Sequence, residues 1–175
     1  MHKIIYIDVG THFAQEFRSI FGSQLYFYIN VIRRIFGFYL LGRGEILSFS
    51  QLKELIYCRN LLRSKIDFFE SYLIEANRKI IQKSAAYNLS DGAFNCALTS
   101  ENESAIINLY LSNGDNLGQG SSILLTKNNV SPNTSIPVMG IPAILFFHSL
   151  KNLINRNGLE YSVILRLNCE GVEDD

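Results

Sequence analysis

The chain carries no excess charge of either sign: its 175 residues hold sixteen basic and sixteen acidic side chains. Without a general positive field, a dedicated binder of nucleic acid or other polyanions is excluded. Cysteine is scarce, and Cys58, Cys96 and Cys169 lie far apart without the spacing of a zinc ribbon or a disulfide scaffold, so they read as reduced thiols. A long charge-free run is missing too. The best stretch, "LYFYINVIRRIFGFYLLG" from Leu25 to Gly42, has Arg33 and Arg34 in its middle, which excludes a comfortable transmembrane helix and leaves peripheral membrane contact through an amphipathic helix open. Phosphate loops are absent: "DVGTHFA" is no G-x-G-x-x-G, and no G-x-x-x-x-G-K-[ST] occurs. "HFAQE" spaces His12 and Glu16 four apart but lacks the second histidine of H-E-x-x-H, so no metal is expected. The opening "MHKIIYIDVG" turns acidic too soon for a signal peptide, and the expected location is cytoplasmic.

What is present suits one α/β domain over residues 1–175, with 47% hydrophobic residues to fill a core. Ile4, Ile5, Tyr6, Ile7 and Val9 form the nearly continuous apolar run of a strand covered on both faces. Helical patterns follow over 12–20, from Leu25 to about Phe38, and over Ser50–Leu62 with Ser50 as a cap. "KIDFFES" reads as a second strand ending near Glu70, and "YLIEANRKII" as the helix after it. "FNCALT" is the third strand, reached through an Asp91-Gly92 turn, and "AIINLYLS" adds an extended run. Ile136 to Gly140 is a short strand, "PAILFFHSLKNLINRNG" a helix opened by Pro142 and closed by Gly158, and Ser162–Leu167 a last apolar strand. The alternation predicts a mostly parallel sheet with flanking helices.

Ligands of such sheets bind beside the carboxyl ends of the strands. Asp8, Glu70 and the pair Asn168 and Glu170 are expected at those ends. Gly10 lets the backbone bend tightly and approach a ligand, and an acid ending the second strand can accept both hydroxyl protons of a ribose, the role expected of Glu70. A nucleoside-like ligand without a phosphate cradle fits this set.

These residues are also where the chain resembles the FkbM-type family of S-adenosylmethionine-dependent methyltransferases. "IDVGTHFA" is similar to that family's first motif, "FFES" to its "FEP", "NCALTSENE" followed by "GQGSSIL" to its middle segment, and "LRLNCEGVE" to its "LKIDVEGAE". The resemblance implies a Rossmann-like methyltransferase fold and methyl transfer from S-adenosylmethionine to a hydroxyl oxygen of a sugar, glycolipid or other natural product. It implies cofactor-binding roles for Asp8, Gly10, Thr11, His12, Glu70 and Ser100. It puts Asn168, Glu170 and Glu173 at the methyl donor or acceptor. His12 is a candidate proton acceptor on separate grounds, the general aptitude of an imidazole for proton transfer.

The departures from the family pattern bear on chemistry. Ala14 stands in place of a second glycine, Ser71 in place of the proline and Ser100 in place of an acid. Asn168 replaces the signature aspartate, and an amide can orient an acceptor but cannot serve as a carboxylate base. The distance from Asp8 to Glu70 exceeds the roughly 30 residues of a β-α-β unit, so residues 20–50 are expected to be a helical insertion, a lid or an interface. The C-terminal strands of the family's fold are expected to be lacking, leaving a sheet edge through which, as through the insertion, the chain can oligomerise. The alternatives are a noncatalytic remnant acting in binding or assembly, and a binder of another adenosine-containing ligand.

Overall fold

The unbroken apolar run near the N-terminus forms β1 (Lys3–Val9), whose residues 5–9 are all buried. The structure, a computed structural model, describes residues 2–41, 49–112, 121–124, 130–155 and 160–168. Two compact units share the chain, residues 1–13 with 70–175 in one and Ala14–Phe69 in the other. The expected helical insertion over 20–50 lies within the second.

The first unit is built on a four-stranded sheet in the order β3-β2-β1-β7, made by β2 (Phe69–Ile74), β3 (Gly92–Phe94) and β7 (Tyr161–Leu167) around β1. β1 pairs with β7 in parallel, Ile5 opposite Val163 and Val9 opposite Leu167, and β2 pairs with β3 in parallel. Strand alternation sends Ile5, Ile7 and Val9 to one face, where they join Tyr72, Ile74 and Cys96. The helix α5 (Ala143–Asn155) covers that face with Phe146 and Leu150, four residues apart and therefore on one side of the helix. Phe146 meets Phe94 edge to face at 5.1 Å between ring centres.

A second, three-stranded sheet orders β4 (Ala97–Thr99), β6 (Val130–Pro142) and β5 (Ala105–Ser112) as β4-β6-β5, with β4 parallel and β5 antiparallel to β6. β6 tolerates Pro137 because β4 reaches only Gly140–Pro142, so at Pro137 the strand has a neighbour on one side. The expected strand over Ile136–Gly140 is thus the middle of a longer one, and helix α5 starts one residue after Pro142.

Two expectations are corrected. "FNCALT" is not one strand: Asn95 bends the chain by donating its side-chain amide to the carbonyls of Glu75 (2.9 Å) and Ala76 (2.8 Å), so β3 and β4 join different sheets. "YLIEANRKII" is not one helix either. Residues through Ile74 continue β2, and only Arg78–Lys83 form α4, capped by the Asn77 side chain accepting from the amide of Lys79 at 3.1 Å.

The second unit contains α1 (Gln15–Phe21), α2 (Gln24–Leu41) and α3 (Phe49–Arg63). Phe17 stacks on Phe21 at 4.6 Å, and α2 turns Phe27 and Val31 inward. Arg59 is buried, donating to the carbonyls of Ser19 (2.9 Å) and Gly22 (3.3 Å) with its guanidinium carbon 4.8 Å from the centre of the Phe27 ring. A cation is favourable there, because the last carbonyls of a helix have no partners within it. Arg63 also donates to Gly22.

Candidate functional site

Three strand ends converge within the first unit. Past β1 the chain turns through Gly10 with φ 69°, a left-handed conformation that glycine adopts without steric cost. The amides of Gly10 and Thr11 both donate to the carbonyl of Ile74, at 2.9 and 3.3 Å, which ties this turn to the end of β2. At the end of β7 the Asn168 amide donates to Val9 at 2.9 Å and its side-chain nitrogen to the Gly10 carbonyl at 3.4 Å. His12 and Ala14 are left-handed as well, with φ 50° and 48°. Non-glycine residues adopt this conformation at a cost of roughly 1–2 kcal/mol each, so the loop stores strain. Ala14 therefore stands where a glycine would relax the chain.

The acid at the carboxyl end of β2 is Glu75. Its Oε1 accepts from the Asn77 amide at 2.7 Å and its Oε2 from the His12 amide at 2.9 Å. Burial pushes its carboxyl pKa upward, opposed by those two amides and by His12. Beneath it, Tyr87 donates to the His12 carbonyl at 2.6 Å and its oxygen lies 2.6 Å from the Thr11 hydroxyl, fixing the loop from behind.

Gly10, His12, Glu75, Cys96, Ser122 and Asn168 line a crevice of about 70 Å³. A broader depression of about 520 Å³ shares Val9, Leu98 and Ile123 with it and adds Thr99, Ser100, Asn108 and Phe147. The Cys96 thiol has its pKa raised to about 11 by burial, which leaves it protonated and poorly nucleophilic near neutral pH. Among the described residues no three histidine, cysteine, aspartate or glutamate side chains gather as a metal site.

The expected site residues separate into three groups. Gly10, His12 and Asn168 meet at the crevice. Asp8 does not: it is fully buried, bonded to Arg166 at 2.7 Å and to the Tyr6 hydroxyl at 3.2 Å, so it links β1 to β7 beneath the loop. Thr11 is buried against Tyr87 and Ser100 lines the broader depression. Glu70 is corrected. It stands at the start of β2, paired with Lys3 of β1 and accepting from Tyr72 at 3.3 Å, at the opposite end of the sheet from the crevice. Glu170 and Glu173 lie outside the described residues.

Sequence reasoning missed Glu75 because "YLIEANRKII" has helical periodicity. The available signal was Asn77, a good helix cap, which starts the helix only after Glu75 and leaves Tyr72-Leu73-Ile74 to the strand. Ser71, expected to replace a proline, donates its amide to Asp91 at 2.8 Å, a bond proline cannot make.

No protein-family model matches the chain, and neither a curated protein nor a solved structure matches it.

Proposed function

We propose that the crevice at the ends of β1, β2 and β7 binds S-adenosylmethionine and that the chain transfers its methyl group to a hydroxyl oxygen of a sugar, glycolipid or other small natural product. The reading is carried by the convergence of Gly10, Glu75 and Asn168 at the point where the sheet order reverses, between β1 and β7, the usual ligand crevice of open parallel sheets. With Glu75 as the ribose acid, the resemblance shifts register: "IEA" takes the part of "FEP", and Ala76 falls at the proline.

The polar groups fit the nucleoside end of this cofactor. Glu75 has its carboxylate oriented by two amides and retains acceptor capacity for hydroxyls. Gly10 permits close approach of the backbone. Bound there, the cofactor supplies an electrophilic methyl carbon. The Asn168 carbonyl oxygen can accept a hydrogen bond from an acceptor hydroxyl and orient it, while its nitrogen is engaged with Gly10. Asn168 cannot take the proton away, but the His12 imidazole, also lining the crevice, is able to. Alignment and exclusion of water are then the main contributions of the chain.

The crevice volume favours a second reading. About 70 Å³ is far below the roughly 300 Å³ where small-molecule pockets begin, and together with Asn168 it supports a noncatalytic remnant that works by binding or assembly. Calorimetric titration with S-adenosylhomocysteine separates the two. One-site binding abolished by Glu75→Gln and kept by Glu70→Ala is expected of the cofactor site. No binding by a folded chain sinks that site and leaves the remnant.

A further inference from the structure

We infer that helix α2 is an interfacial anchor that docks the chain on an anionic lipid surface. The first observation is an unsatisfied apolar arc. Leu25 (70% exposed), Tyr28 (40%), Ile29 (43%) and Ile32 (50%) all face solvent. At 100° per residue these four positions fall within an arc of about 100° along one side of the helix. Phe27 and Val31, which α2 buries, point elsewhere, so this stripe is a second apolar face that stays largely open to solvent, although the Tyr28 ring also touches that of Phe27 at 5.5 Å between centres.

The second observation is charge. From Phe17 to Gly44 the chain has Arg18, Arg33, Arg34 and Arg43 and no aspartate or glutamate, although acids and bases balance over the whole sequence. Arg33 is exposed on the helix itself, beside the apolar arc. A protein partner would be satisfied by the apolar stripe alone. The exclusion of every acid from the same 28 residues is what a negatively charged surface requires, since each basic group near such a membrane strengthens binding and each acid weakens it. Tyr28 adds an aromatic ring with a polar tip, a side chain suited to the headgroup level. None of the described helices is long and apolar enough to cross a membrane. The helix therefore lies in the interface, its apolar arc among the upper acyl chains and its arginine at the phosphates.

Co-sedimentation of the full chain with vesicles tests this. Binding to mixed phosphatidylserine and phosphatidylcholine vesicles, weakened by added salt and absent with phosphatidylcholine alone, is expected. Arg33→Gln should weaken it about fivefold, the effect of one basic group at an anionic surface. Ile29→Ser with Ile32→Ser should weaken it at least about tenfold through lost apolar burial. Both variants change exposed positions, and unchanged circular dichroism melting establishes that they fold. Equal binding to both kinds of vesicle, binding to neither, or insensitivity to either variant overturns the inference. So does a concentration-dependent dimer in sedimentation velocity that Ile32→Glu dissolves, because the arc would then be a protein interface. The outcome is independent of cofactor binding, which the calorimetric titration reads separately.

Discussion

The two units of the chain are held together by different physics. The sheet-bearing unit joins residues distant in sequence: Asp8 bonds Arg166, Lys3 pairs with Glu70, and the end of β1 is tied to the end of β2 through the Ile74 carbonyl. The helical unit runs through one continuous segment, and its helices are joined by aromatic contacts and by arginines reaching the open carbonyls at the end of α1. Long-range strand pairing holds the strand ends that line the crevice in register with one another. The contacts among the helices leave an apolar face of α2 exposed. The sheet-bearing unit holds the candidate pocket, and the helical unit holds the candidate docking surface.

Breaking each unit at its characteristic contact sharpens that contrast. Asp8→Ala should cost about 3 kcal/mol in urea unfolding, the lower end for a broken buried pair, because the Arg166 guanidinium left behind is partly exposed. Arg59→Ala, which removes a helix-end cation and its ring contact, should cost about 2 kcal/mol. An equal or larger loss for Arg59 would mean that the helical unit is as tightly specified as the sheet.

Glu75 tests the pocket itself. Its carboxyl is raised above the ordinary value of 4.5 by burial, so the folded chain holds this proton more tightly than the unfolded chain does. Stability should therefore fall as pH rises from the ordinary carboxyl range towards the raised value, and Glu75→Gln should remove that part of the slope. Urea midpoints measured across this range check the sign, and parallel slopes for the two proteins would contradict the buried, elevated carboxyl.

The smallest expected change is a gain. Thr99 Oγ1 is buried with no hydrogen-bond partner among the described residues. Replacing it by the similarly shaped valine, Thr99→Val, removes an unmet polar group and should stabilise the chain by about 1 kcal/mol, read as a raised urea midpoint. A loss instead would show that the hydroxyl is used.

Much of the fold was legible because its signals are local. The run Ile4–Val9 has no polar alternation and is a strand buried on both faces, while the periodic stretches after Leu25 and Ser50 became α2 and α3. The second strand was misplaced because "FFES" and "YLIEANRKII" each satisfy a local pattern, and β preference depends on which neighbours a segment meets. The third strand reads as one piece in sequence because nothing local reveals that Asn95 finds the carbonyls of Glu75 and Ala76.

The sequence by itself determined the residue chemistry of the crevice, a glycine where the chain turns left-handed and an asparagine at the last strand's end, and, separately, an acid-free stretch with four arginines from Phe17 to Gly44. Only the tertiary structure decided which carboxylate faces the crevice. Glu70 and Glu75 are five residues apart on one segment, and local propensity does not distinguish them. The pairing of β2 with β1 and β3 does, since it sets where the strand starts and stops, and so sends one acid to Lys3 and the other to the His12 amide at the crevice.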